Sequence, residues 1–145
     1  MKVLECMTTQ PITIESNHLA SEALSLLKTH HLHVLPVLQE GRLKGIIKLE
    51  DLQAYAERKY GEAMHARERD HELLHSMYVE DAMRSATTSV MPEDSLQIVA
   101  QEMLRHNILG LPVVDEKHHL VGVVTISDVL GALSREHEQK IDLNA

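Results

Sequence analysis

Two stretches of this chain repeat one another. Residues 3–52, VLECMTTQPITIESNHLASEALSLLKTHHLHVLPVLQEGRLKGIIKLEDL, align with residues 79–129, VEDAMRSATTSVMPEDSLQIVAQEMLRHNILGLPVVDEKHHLVGVVTISDV. Val3 and Val79, Met7 and Met83, and Pro36 and Pro112 stand 76 positions apart, whereas Gly45 and Gly122, and Asp51 and Asp128, stand 77 apart. One residue is therefore inserted between Pro112 and Gly122. A unit of about 50 residues is marginal as a free domain, so two copies in one chain read as halves that complete a shared core.

Each copy has the same order of elements. A short apolar strand, Ile12 to Ile14 or Ser89 to Met91, precedes a cap-like cluster, Ser16-Asn17 or Glu93-Asp94-Ser95, where a helix should start. Leu19, Ala23, Leu26 and Leu27, and in the second copy Leu96, Val99, Ala100 and Met103, fall on one face at helical spacing. The runs 33–38 and 111–114 read as strands, and a turn at Gly41 or at Glu116-Lys117 leads into further strands at Leu43 to Ile47 and Leu120 to Val124. A last helix opens near Glu50 and near Ser127. The fold class this predicts is α/β (α+β): two βαββα repeats packed as a pseudo-twofold pair, with equivalent clefts on the two sides of the pseudo-axis. Residues 1–54 form repeat 1, 55–77 a charged helical connector, 78–136 repeat 2 and 137–145 a C-terminal tail.

Composition narrows the partners. Three Tyr and no Phe or Trp leave an aliphatic core built from Leu, Ile, Val, Ala and seven Met. A flat ligand would be held by aliphatic edges and backbone, without ring stacking. A formal net charge of -8 with no basic stripe argues against nucleic acid and anionic lipid, although local cations or backbone N–H groups can still hold a small anion. No apolar run has the length of a membrane span and the N-terminus has no signal-peptide core, so the expected location is cytoplasmic. The single Cys6 has no partner within the chain and reads as a half-buried packing residue.

The doubled LPV...G...D pattern and the segment Gly122-Val-Val-Thr-Ile-Ser-Asp128 resemble a pair of CBS domains, the cystathionine beta-synthase type of regulatory repeat. The resemblance covers all but the connector and the last ten or so residues. It implies a regulatory module, not an enzyme, that binds AMP, ADP, ATP or a related adenosyl compound and serves energy sensing. It also implies a homodimer and a regulated protein whose identity is open. No cofactor beyond the adenine nucleotide is implied.

Thr125, Ser127 and Asp128 carry the site chemistry. A carboxylate at a helix start accepts hydrogen bonds from the vicinal hydroxyls of a ribose, while a hydroxyl and the helix N-terminus favour phosphate oxygens. The same Thr-x-x-Asp spacing also suits a capping box with no ligand at all, and spacing does not choose between them. The resemblance implies a crossed cleft, in which Thr125, Ser127 and Asp128 face Gln10, Ile12, Leu32, His33 and Val34, with His33 near the phosphates. The second cleft would combine Lys48 and Asp51 with Ala86, Thr88, Ile108, Leu109 and Gly110. There Lys48 replaces the expected Ser or Thr and Leu109-Gly110 offers no cation, so this cleft is expected to be weaker or empty. Lys48 could neutralise a phosphate, or lay its stem in the cleft and pair with Asp51.

Two alternatives stand beside this reading. The fold could persist as a ligand-free interaction module, which Lys48 favours and Thr125 and Asp128 oppose. His71-Glu-Leu-Leu-His75 matches the HExxH zinc-hydrolase pattern. With 11 His in the chain such a match arises easily by chance, no downstream third ligand completes it, and His71 and His75 read as solvated neighbours on the connector or as an adventitious metal site. No metal site is assigned.

Overall fold

The computed structural model describes residues 1–60, 76–85 and 88–144. A 3-10 turn at Val3–Glu5 is followed by β1 (Thr8–Thr9), β2 (Ile14–Glu15), α1 (Ala20–Thr29), β3 (Leu35–Gln39), β4 (Arg42–Ile47) and α2 (Leu49–Tyr60). After the connector come α3 (Val79–Ala82), β5 (Arg84–Ser85), α4 (Leu96–His106), β6 (Gly110–Val114), β7 (Leu120–Thr125) and α5 (Ile126–Asn144). The chain is thus mixed α/β, as its two-fold and 3.6-fold hydrophobic periods require.

The chain divides into two compact units that do not coincide with the repeats. One is Met1–Pro11 together with Thr88–Ala145, and the other is Ile12–Thr87. The leading segment of each copy is folded into the other copy. In the 12–87 unit a four-stranded sheet runs β2-β3-β4-β5, with β2 parallel to β3 and the remaining pairs antiparallel. In the other unit a three-stranded sheet runs β1-β7-β6, both pairs antiparallel. The exchanged strands sit at matching registers: Thr8 and Thr9 pair with Val123 and Gly122, and Arg84 and Ser85 pair with Ile46 and Gly45.

The first helix starts later than the polar cluster at Ser16-Asn17 suggests. Its N-cap is Leu19, with no capping side chain, and Ser16 is buried. The exchanged segment accounts for this. The Met77 carbonyl accepts from the Ala20 N–H (2.9 Å), and the carbonyls of His18 and Ser16 accept from the Val79 and Glu80 N–H groups (2.8 and 3.1 Å). A first-turn donor that needs a partner has found it in backbone. In the other copy the Met1 carbonyl accepts from Leu96 N–H (3.1 Å) and the Asp94 carbonyl from Val3 N–H (2.8 Å), and there Ser95 Oγ also caps α4 by accepting from Ile98 N–H (3.3 Å).

The strand expected at Ser89 to Met91 contracts to one parallel bridge, Val90 with Val113. The Asp94 carboxylate accepts the Met91 N–H (2.8 Å) and the Met91 carbonyl accepts from Asp94 N–H, so the chain turns away before a strand can extend. The β3–β4 turn is Glu40-Gly41, both at positive φ (53° and 81°), the two-residue form that suits strand twist. The inserted residue falls in the β6–β7 turn. Here Asp115 Oδ1 accepts from the N–H groups of Lys117 and His119, 2.9 Å each, and these donors hold the Asp115 carboxyl below its ordinary range.

The cores are aliphatic and built from equivalent positions. Ala23, Leu27, Leu35, Val37, Ile47, Leu52 and Val79 are buried in one unit; Val99, Met103, Leu111, Val113, Val124, Val129 and Val3 are buried in the other. Each fully buried Val, Leu, Ile or Met side chain contributes about 1.5–3 kcal/mol. The glycines 77 apart explain how the exchanged strands come close. A Cβ on Gly45 would stand 2.2 Å from the Arg84 carbonyl oxygen, and one on Gly122 2.7 Å from that of Thr8. Gly45→Ala is expected to destabilise by about 3 kcal/mol and Gly122→Ala by about 2 kcal/mol, the range for overpacking, read from urea unfolding midpoints. Unchanged midpoints would show that the exchanged strands do not press on these positions.

Cys6 follows the first turn of the exchanged segment. Burial, and then the Asp128 carboxylate, push its thiol up from the ordinary value, while Arg135 opposes them. The fold therefore favours the neutral thiol, and the stability linked to it falls as pH rises through the thiol range of the unfolded chain. Iodoacetamide is expected to alkylate native Cys6 more slowly than the urea-unfolded chain at the same pH, and Asp128→Asn should raise the native rate. Equal rates in native and unfolded protein would count against this.

Candidate functional site

The most chemically equipped position is the junction of β7 and α5. Thr125 ends the strand and caps the helix. Its N–H and its hydroxyl both donate to Oδ2 of Asp128 (2.8 and 3.2 Å), and the Asp128 N–H lies 3.4 Å from Thr125 Oγ1 as acceptor. The capping box thus forms. It uses only one carboxylate oxygen: Oδ1 of Asp128 accepts no hydrogen bond from any described residue. Asp128 is half-buried and Ser127 is exposed on the first turn of a 19-residue helix, whose dipole is positive at this end. Capping and an open acceptor therefore coexist in one side chain.

The matching junction of β4 and α2 is built differently. The Lys48 N–H donates to Oδ2 of Asp51 (2.9 Å), but Lys48 has no hydroxyl to complete the box. Oδ1 of Asp51 accepts from Arg84 Nε (2.9 Å). The Lys48 side chain does not make the ion pair that was one expectation for it; Arg84, on the exchanged strand β5, holds that place, because the backbone pairing of Arg84 with Ile46 brings it alongside. The Asp51 side chain is 8% exposed and that of Arg84 57%, so the carboxylate is enclosed while the guanidinium reaches solvent. Among the described residues, both oxygens of Asp51 are engaged, and only one of Asp128 is.

The remaining expected residues fall out as follows. Gln10 belongs with Thr125, Ser127 and Asp128 in one compact unit, and Ile12, Leu32, His33 and Val34 belong to the other. Gln10 is exposed and holds φ 51°, a left-handed conformation that costs a non-glycine residue about 1 kcal/mol or more. Ile12 and His33 are exposed, Leu32 half-buried and Val34 buried. Lys48 and Asp51 are in the 12–87 unit, and Thr88, Ile108, Leu109 and Gly110 in the other. Within that second unit Gly110 pairs with Thr125, and the Leu109 carbonyl accepts the Ile126 N–H (2.9 Å), so these residues adjoin the Thr125 junction of their own copy. Thr88 Oγ1 is bonded to His106 Nε2 (2.9 Å), which also contacts Glu102 (3.1 Å). Ala86 and the HExxH residues 71–75 lie outside the described residues.

Sequence reasoning missed Arg84. The signal was there in the alignment, since Arg84 stands 76 residues after Thr8, a cation where the other copy has a hydroxyl. It also missed an open groove of about 520 Å³ along α1, lined by Thr13, Glu15, His18, Ser21, Glu22 and Ser25 among others, with His18 Nδ1 2.5 Å from Glu22 Oε2. None of the expected binding residues lines it. Among the described residues no three His, Cys, Asp or Glu side chains form a group that could hold a metal, and no helix is long and apolar enough to cross a membrane.

The CBS domain family model matches residues 3–58 and 79–135. The CBS domain-containing protein YhcV of Bacillus subtilis is 33% identical over 129 residues, 88% of this chain and 81% of that protein. A CBS domain-containing protein of Dictyostelium discoideum is 32% identical over 136 residues, 92% of each chain. Other curated relatives are longer proteins, of which this chain spans as little as 20%. Among solved structures, the CBS domain pair of protein MJ0100, in complex with 5'-methylthioadenosine and S-adenosyl-L-methionine, superposes with a TM-score of 0.75 at 28% identity, covering 94% of this chain and 98% of that one. Matched in both of its copies and along most of the length of the Bacillus subtilis and Dictyostelium discoideum proteins, the chain belongs to the CBS domain family as a tandem pair.

Proposed function

We propose that this CBS pair is a regulatory module, not an enzyme, that binds an adenosine-containing ligand through Thr125, Ser127 and Asp128. The observation that carries the reading is the Asp128 carboxylate, fixed by Thr125 through one oxygen and open at the other, at the positive end of a long helix. The open oxygen can accept from a ribose hydroxyl, and Thr125 already holds the carboxylate's orientation. The adenosyl ligands on the 28%-identical CBS pair support the same class. In this reading Gln10, of the same compact unit, contributes to the site, and aliphatic side chains hold the adenine. Residues 1–54 and 78–136 act as the repeats, 55–77 as connector and 137–145 as tail, in a cytoplasmic protein. Exposed Leu130 and Leu133, one turn apart on α5, support a homodimer that passes ligand occupancy to a protein partner.

A ligand-free interaction module is the second reading, and the engaged state of Asp51 is what favours it. A thermal-shift series with AMP, ADP, ATP, S-adenosylmethionine and 5'-methylthioadenosine separates the two. Ligand at about a hundredfold over its Kd adds about 2.7 kcal/mol, a rise of several degrees. The expected outcome is a rise with at least one adenosyl compound that Asp128→Ala removes; no rise with any of them, on ligand-free protein, leaves the interaction module. By light scattering, Leu130→Glu with Leu133→Glu is expected to run near the 16.4 kDa chain mass and the parent at twice it.

A further inference from the structure

We infer that Arg84 closes the second adenosine half-site from within the chain, so that the protein binds one adenosyl ligand per chain, at Asp128. The inference rests on the adenosine-binding reading and concerns which residue sets its stoichiometry.

The two junctions offer the same carboxylate at the same place in the repeat, Asp51 and Asp128, 77 residues apart. They differ in what the exchanged strand carries beside them. At the register position where Thr8 pairs with Val123, the other unit has Arg84 paired with Ile46. Thr8 makes no bond to Asp128, whereas Arg84 Nε lies 2.9 Å from Oδ1 of Asp51. With Oδ2 accepting the Lys48 N–H, the Asp51 carboxylate is charge-compensated and 8% exposed. A ribose diol would have to displace a charge-assisted bond between an enclosed carboxylate and a guanidinium whose planar fork suits it. Neutral hydroxyls do not replace that interaction, because they return no charge to the enclosed carboxylate. Lys48 deepens the difference by leaving this junction without the hydroxyl that Thr125 provides at the other. The guanidinium is 57% exposed, so removing it leaves open solvent-facing space at the junction rather than a sealed void.

The repeat itself supplies the variants. Arg84→Thr with Lys48→Thr places at the first junction the two threonines that stand at the corresponding positions of the second, and Thr8→Arg brings the arginine to the second. Calorimetric titration with AMP and with 5'-methylthioadenosine reads the stoichiometry, and thermal melting confirms that each variant folds. The expected results are one site in the parent and none in Asp128→Ala. The Arg84→Thr/Lys48→Thr chain gains a second site, which survives Asp128→Ala and is lost with Asp51→Ala. Thr8→Arg, folded, loses at least tenfold in affinity at the Asp128 site. A parent that binds through Asp51 after Asp128→Ala would overturn the inference. So would a folded Arg84→Thr/Lys48→Thr chain that stays at one site, while leaving the adenosine reading intact. If the double-threonine chain does not fold, unchanged affinity in Thr8→Arg overturns the inference by itself. Absence of binding in parent and variants alike removes the adenosine reading, and this inference with it.

Discussion

The backbone bonds that dock the leading segment of each copy onto the other copy are the interaction on which the rest of the structure depends. Met77, Val79 and Glu80 bond to the Ser16–Ala20 stretch, and Met1, Val3 and Leu4 bond to the Pro92–Leu96 stretch. These bonds satisfy the helix starts, seat Val79 and Val3 in the cores, and deliver β5 and β1 to the sheet edges. A strand added at an edge needs its carbonyls near the neighbouring backbone, and Gly45 and Gly122 are the positions where that approach leaves no room for a Cβ. Neither copy is a complete folding unit in sequence order, because each lacks the segment that its compact unit borrows.

This exchange also decides the chemistry of the two junctions. Because β5 lies beside β4, whatever stands at position 84 is presented to Asp51; because β1 lies beside β7, whatever stands at position 8 is presented to the other junction. An arginine in one place and a threonine in the other convert two near-identical carboxylates into one engaged and one with an open oxygen. The exchanged strands pair at matching registers in the two units, so the residue each carries, together with Lys48 in place of Thr125, makes the two junctions different.

Much of this was legible in the residues. The 76-residue period, the strand pairs around Pro36 and Pro112, and the Ser95 cap followed from hydrophobic spacing and local turn chemistry, because hairpins and caps are made by residues near one another in sequence. Ser16-Asn17 misled as a cap because the partner of that helix start is Met77, far along the chain, and backbone carbonyls leave no mark on composition. At the site, Thr125 and Asp128 were readable, and the capping box forms through one oxygen of the carboxylate, which leaves the other without a donor among the described residues. The repeat alignment marks Arg84 as a cation opposite Thr8, but nothing local to it names Asp51, 33 positions away, as its partner.

By itself, then, the sequence determined the duplication, the order of elements, an aliphatic core and the identity of the two carboxylates. All of these depend on periodicity or on contacts within a few residues. Only the tertiary structure decided that the leading segments change places and that Arg84 neutralises Asp51 while Asp128 keeps an oxygen open. Pairing between distant strands depends on which backbone donors remain unsatisfied once local structure has formed, and local sequence does not carry that information.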